Sequence, residues 1–139
     1  QYLEDIVERN HLEGMMKRVI MPGYIVNSDL PYIYNNAFAF LYTSLRESFG
    51  IPLLEAMACG TPVITSNTSS MPEIGGPEAI LVNPESSDEI AAMLLRLEED
   101  AGFREKQRQV GLARASLFSW RRTAEQLLEL YRTTLAKSE

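Results

Sequence analysis

The stretch Glu47-Ser48-Phe49-Gly50-Ile51-Pro52-Leu53-Leu54-Glu55-Ala56-Met57-Ala58-Cys59-Gly60 decides how this chain is read. It passes from polar loop residues into a run in which Glu55 is the one charged side chain. Pro52 stands where a first helical turn tolerates a missing N–H, and Gly60 stands just past the last apolar position, so the spacing predicts a helix between them. A helix apolar on all sides is expected to be buried. A lone carboxylate on it should be paired, hydrogen-bonded or turned toward a cavity.

The flanks supply the frame. Phe38 to Tyr42 is apolar at each position and of strand length, which suits a parallel strand buried on both faces. Arg18 to Met21, Pro62 to Thr65 and Ala79 to Val82 read as further strands, each with turn residues beside it. Ser28 can cap a helix through Tyr32, Ile33 and Tyr34, with Pro31 in its first turn. Tyr32 and Tyr34 then point to opposite sides. Ser70-Met71-Pro72-Glu73 has the spacing of a capping box, as do Ser86 and Glu89 ahead of Ile90, Met93, Leu94 and Leu97. A helix is expected over Tyr2 to Asn10, ending across His11 to Gly14. Two more cover Phe103 to Leu117 and Trp120 to Leu135, the last capped by Ser119 and anchored to the core by Trp120. Strand and helix alternate, which predicts an α/β fold: a Rossmann-like three-layer parallel sheet with helices on both faces and a helical C-terminal third. About four strands are few for such a sheet. The chain opens at Gln1, not Met, inside a helical pattern, so residues 1–139 read as one partial domain of something longer.

The chain has 139 residues, with 13 Lys and Arg against 19 Asp and Glu, a net charge of −6. That balance argues against a non-specific nucleic-acid binder, whose affinity comes from neutralising phosphates. Cys59 and His11 are the single cysteine and histidine, too few for an internal disulfide, a cysteine metal cluster, a His-based zinc site or a Ser-His-Asp triad. No apolar run reaches the length of a membrane span.

In open parallel sheets ligands bind beyond the carboxyl ends of the strands. The loop after Tyr42 lies there and feeds into the Pro52 helix. A helix start offers free N–H groups and partial positive charge to phosphate. Gly50, lacking a side chain, allows close backbone approach. A carboxylate such as Glu55 can accept both hydroxyls of a ribose, and Glu47, on the loop side, those of a hexose. One ligand meets all three demands: a nucleotide diphosphate sugar. Dipole compensation by Glu55 and a simple turn at Gly50 explain the residues equally well.

Glu47 to Gly60, continued by Thr61-Pro62-Val63-Ile64, resembles the signature of family-4 retaining glycosyltransferases of the GT-B fold, with its two glutamates separated by seven residues. Met21-Pro22-Gly23-Tyr24-Ile25, Leu30 and Tyr34, Ser69-Ser70-Met71-Pro72-Glu73, Leu81-Val82-Asn83-Pro84 and Phe118-Ser119-Trp120 are also similar to family segments. The resemblance implies the C-terminal, donor-binding half of a GT-B enzyme, truncated at its N-terminus and lacking the acceptor domain. It implies transfer of a hexose with retention to a glycan or lipid acceptor, from GDP-mannose or a UDP-sugar. By the same token Glu47 would act at the hexose. Backbone from Phe49 to Ile51 would meet sugar and phosphate, with Ser48, Pro52 and Leu54 also lining the donor. Glu55 would hold the ribose, and Tyr24 and Ile25 would lie by the base. No metal or other cofactor is implied. The parent enzyme would be cytoplasmic or peripheral at the inner face of a membrane. Arg46 and Ser48 depart from common members, which often carry an aromatic residue and a glycine there. The basic pair that neutralises the diphosphate has no counterpart here, so the isolated chain is expected to be inactive. Two alternatives remain: a sugar-nucleotide 2-epimerase-like isomerase, for which His11 is badly placed, and a nucleotide-binding module without chemistry.

Of the remaining residues, Ser66 to Ser70 can contact donor or serve as caps and turns, with capping favoured at Ser70. Arg46, Arg121, Arg122 and the run Glu98-Glu99-Asp100 are expected in solvent, and Cys59 as a small apolar filler.

Overall fold

A computed structural model describes Val7, Arg9 and residues 13–136. The helix expected over Tyr2–Asn10 and the turn at His11 therefore lie outside the described residues, apart from Val7 and Arg9. The order is α1 (Glu13–Met16), α2 (Leu30–Asn36), β1 (Phe40–Tyr42), α3 (Ile51–Ala58), β2 (Val63–Ser66), α4 (Met71–Gly75), β3 (Ile80–Val82), α5 (Ser87–Glu99), α6 (Ala101–Ala115) and α7 (Trp120–Ala136). The three strands form a parallel sheet in the order β1-β2-β3. Phe40 sits opposite Val63, and Ile64 opposite Ile80. The α/β architecture read from the alternation is thus present.

The central strand is the buried one. All four residues of β2 are buried, and its side chains alternate between two cores, as the pleat demands. Val63 joins Tyr34, Leu53, Ala56, Met57, Met71 and Ile74 on one side of the sheet. Ile64 joins Ile80, Val82 and Leu97 on the other, under α5. β1 departs from expectation: Leu41 at its centre is exposed. Among the described residues β1 pairs with β2 alone, so it lacks the cover that a fully apolar run suggests. Arg18 to Met21 forms no strand. Val19, Ile20 and Met21 are all exposed, and a β-branched run does not hold strand geometry without a neighbour to bond.

Local chemistry sets the helix ends. α3 closes in a Schellman arrangement: Thr61 N–H donates to Ala56 O and Gly60 N–H to Met57 O, both at 3.0 Å, with Gly60 at φ +73°. Gly111 is buried against Met57 (a Cβ there would lie 3.3 Å from Met57 Cγ), which lets α6 close onto α3. Ser86 Oγ accepts from Glu89 N–H, but the Glu89 carboxylate turns to Asn83 N–H instead of completing the box. Asp100, from the acidic run, caps α6 by accepting from Phe103 N–H at 2.8 Å. Asp29, not Ser28, sits at the N-cap of α2, with no side-chain bond.

The last helix corrects a second expectation. Ser119 Oγ accepts from Arg122 N–H, as a cap should, but no residue of α7 is buried. Trp120 is 81% exposed and does not anchor the helix. Its apolar stripe is real, and within the described residues nothing covers it.

Candidate functional site

The strand β1 ends at Tyr42, and the next eight residues form a loop into α3, so the loop lies at the carboxyl edge of the sheet. Gly50 is the N-cap of α3 at φ +98°, a backbone conformation that disfavours any other residue. The side of its α-carbon where a side chain would stand faces Met71. A Cβ added there would stand 2.5 Å from Met71 Cε. The glycine is therefore needed for the turn and to leave room for Met71.

The helix start is also narrower as an anion site than a full N-terminus. Pro52 carries no N–H, and Leu53 N–H already donates to Gly50 O at 3.0 Å. The burial of α3 is one-sided. Leu53, Ala56 and Met57 are buried, and Leu54 and Pro52 are partly so. Ile51, Glu55 and Ala58, spaced i, i+4, i+7, form an exposed strip. Glu55 is therefore on an open face, not locked in a core. With Asn27, Leu30, Pro31, Tyr34, Ala58 and Cys59 it borders an open cavity of about 260 Å³. Tyr34 Oη lies 3.4 Å from Glu55 Oε2, long for a hydroxyl–carboxylate bond. Burial first, and then the Glu55 charge, push the Tyr34 hydroxyl above its ordinary pKa. Tyr32, its helix neighbour, is exposed, the opposite orientation the spacing predicts.

Glu47 is held far more tightly. Tyr42 Oη donates to Glu47 Oε1 at 2.6 Å. That hydrogen bond, aided by burial, pushes the Tyr42 pKa up to about 12. The Glu47 backbone is clamped at both polar atoms. Its N–H donates to Ser69 Oγ at 3.1 Å, and its carbonyl accepts from the same hydroxyl at 2.6 Å. Ser70 Oγ is placed to donate to Glu47 O or Phe49 O, at 3.1 and 3.2 Å. Ser66 Oγ donates to Ser44 O at 2.7 Å. Ser70 makes no capping bond to α4. The hydroxyl-rich segment expected to cap or to touch donor instead fastens the Glu47 loop to the sheet edge.

The other expected residues are more scattered. Ser48 is exposed and Ile25 partly buried. Tyr24 is almost fully exposed. Neither Tyr24 nor Ile25 borders the Glu55 cavity, although Asn27 and Leu30 just downstream do. The Phe49 ring packs edge-on against Phe118 at 6.1 Å. The Arg114 guanidinium lies over the Phe118 ring, 5.0 Å from its centroid. Arg114 Nε donates to Ile74 O at 2.9 Å, and Nη2 bonds Glu73 O, closing the C-terminal end of α4. Arg46 is exposed. Sequence reasoning gave Tyr42 and Arg114 no role at the site, and read Ser69 as a donor contact or cap, not as a clamp on the Glu47 backbone. The available signal at Tyr42 was a hydroxyl-bearing ring at the last position of an otherwise apolar run. Among the described residues no three His, Cys, Asp or Glu side chains gather as a metal site, and no helix is long and apolar enough to cross a membrane.

The parallel sheet with helices beside it, and the two glutamates on either side of the α3 start, find their counterparts among glycosyltransferases of GT-B type. Residues 2–133 match the family model described as glycosyl transferases group 1, and the chain belongs to that family. It is 40% identical over 130 residues to the O-antigen chain mannosyltransferase B of Escherichia coli, covering 94% of this chain and 33% of that protein. It is 32% identical to the serotype-specific mannosyltransferase WbdA of the same organism, over all of this chain and 17% of that one. Among solved structures, sucrose-phosphate synthase from Thermosynechococcus elongatus superposes with a TM-score of 0.83 at 32% identity, over 97% of this chain and 34% of that one. The C-terminal domain of a glycosyl transferase group 1 protein, LpcC, from Francisella tularensis gives 0.69 at 33% identity, over 84% of this chain and 60% of that one. The chain thus spans about a third or less of the length of these curated relatives.

Proposed function

We propose that this chain is the donor-binding part of a retaining glycosyltransferase that moves a hexose from a nucleotide diphosphate sugar to a glycan or lipid acceptor. The observation that carries the reading is the Glu55 carboxylate, exposed on the open strip of α3 at the rim of a cavity bounded by α2. A carboxylate there can accept both hydroxyls of a ribose, while Tyr24 and Ile25 lie along the chain toward the base. Glu47, on the loop before α3, faces the hexose. Backbone of Phe49 to Ile51, with Ser48, Pro52 and Leu54 around it, receives the diphosphate. Donors fixed in advance at that position stabilise charge on the departing phosphate without reorganising during the reaction. No metal is required in this scheme. The names of the relatives favour mannose as the hexose, and GDP-mannose is the donor proposed first, ahead of a UDP-sugar. The enzyme would act in the cytoplasm or at the inner face of a membrane.

Calorimetric titration of the full-length enzyme with GDP, UDP and ADP tests the site. Glu55→Ala should weaken the preferred nucleotide by about 1.5–3 kcal/mol, the worth of hydrogen bonds to a charged group, or roughly one to two decades in Kd. Unchanged affinity overturns the ribose assignment. The 139 residues alone should show no transfer, and measurable turnover by them refutes that expectation.

A further inference from the structure

The two glutamates share a feature that the donor reading does not use. Each meets a tyrosine hydroxyl, and the two tyrosines belong to one aromatic ladder. Phe40 stacks on Tyr42 with centroids 5.6 Å apart and an interplanar angle of 16°. Phe40 also meets Tyr34 edge-on, at 5.2 Å and 83°. A buried threonine fixes the backbone at each end. Thr61 Oγ1 donates to Tyr34 O at 2.6 Å, and Thr65 Oγ1 donates to Tyr42 O at 2.8 Å. The series Tyr34–Phe40–Tyr42 is therefore held in ring and in main chain, and a carboxylate stands at either end of it.

Ring packing alone would be satisfied by phenylalanine at both positions. What tyrosine adds is a hydroxyl, which needs a partner once it is shielded from water. In both cases the partner is a glutamate. The two contacts differ in kind. At 2.6 Å the Tyr42–Glu47 bond has the length of a charge-assisted pair, so Glu47 has one oxygen committed and its carboxylate plane set. At 3.4 Å the Tyr34 contact is too long to commit Glu55, which leaves both oxygens for incoming hydroxyls.

We infer that Tyr42 and Tyr34 are positioning residues, Tyr42 fixing the Glu47 carboxylate for the sugar-transfer step and Tyr34 loosely orienting Glu55 for the nucleoside. The inference rests on the donor-site reading above, since it takes the two glutamates as ligand-facing groups. It predicts a crossed pattern, with the Tyr42 hydroxyl acting on kcat and the Tyr34 hydroxyl on binding.

The test uses the full-length enzyme. Turnover is read as GDP release from GDP-mannose, or UDP release from UDP-glucose where the wild type prefers it, with calorimetry of the same nucleotide alongside. Tyr42→Phe keeps the ring stack and should lower kcat about tenfold, with KM, nucleotide Kd and Tm near wild type. Tyr34→Phe should leave kcat alone and raise the nucleotide Kd about threefold, a fraction of the loss expected for a fully formed bond to a charge. The double variant Tyr42→Phe/Glu47→Gln should be no slower than Glu47→Gln, because the hydroxyl acts only through that carboxylate. Wild-type kcat in Tyr42→Phe, with turnover lost in Glu47→Gln, overturns the positioning role and leaves the donor reading standing. A Tyr42→Phe loss that adds in full to that of Glu47→Gln also overturns it. Wild-type turnover in Glu47→Gln removes the assignment of Glu47 to the hexose and the inference with it, while the donor reading is decided separately by the Glu55→Ala titration.

Discussion

Glu47 and Glu55 flank the start of one short helix, yet their surroundings are opposites. Glu47 sits on a loop, the kind of segment that is usually mobile. Here its backbone is clamped by Ser69 and Ser70 and its carboxylate by Tyr42. Glu55 sits on a helix whose far side is the core, so its backbone needs no clamp, and among the described residues its carboxylate has the long Tyr34 contact alone. The contrast shows how the molecule divides the work of placing two similar groups. A loop residue is made rigid by hydroxyls from a neighbouring strand end. A helix residue is rigid already, and its side chain can be left open for a ligand.

The joint between the two regions is Gly50, and disturbing it should have the largest effect. Gly50→Ala forces a side chain into φ +98° and onto Met71. Strained backbone of this kind costs about 1–3 kcal/mol, and chemical denaturation should show a loss in that range, together with weaker nucleotide binding as the helix start shifts. Retained stability and binding would mean that the loop and helix are not coupled through this turn.

The clamp itself is a smaller quantity. Ser69→Ala removes both bonds to the Glu47 backbone while keeping a side chain at φ +58°. It should destabilise by about 0.5–1.5 kcal/mol, the net worth of ordinary hydrogen bonds, and speed amide exchange at Glu47. Ser69→Gly loses the same hydroxyl but relieves the backbone, so it should be the milder change. Equal effects of the two would show that strain at Ser69 is negligible.

The smallest effect is expected farthest from the site. Trp120→Ala in this chain should change stability by no more than about 0.5 kcal/mol, as exposed positions do, and acrylamide should quench the Trp120 emission freely. A blue-shifted, protected emission would mean that α7 has found cover.

Much of this was legible in the order of residues. Pro52 and Gly60 marked the ends of α3 to within a residue or two, because a missing N–H and a left-handed cap are local properties. The alternation of apolar runs with capped helices gave the layered α/β plan, and β2 and β3 were placed nearly to the residue. Tyr34 and Tyr32 separated as their spacing on one helix requires. The failures share a cause as well. Val19-Ile20-Met21 and Phe38 to Tyr42 look alike as apolar runs, but among the described residues one finds no neighbouring strand and the other finds one on a single edge. Ser70 and Glu73 have capping-box spacing, but a carbonyl from Glu47, 23 residues upstream, is the partner that Ser70 takes. Burial all around α3 was expected from composition, yet one strip of it faces out.

By itself the sequence determined the kind of element at most positions, the two carboxylates on either side of a helix start, and the turn glycines, since each follows from the conformational preferences of a few adjacent residues. Only the tertiary structure decided which faces are closed, that Met71 fills the space over Gly50, and that two tyrosines and a row of serines hold the glutamates at unequal tightness. Apart from the five-residue step from Tyr42 to Glu47, those outcomes depend on atoms that meet across gaps of more than 20 residues in the chain, and no local preference carries that information.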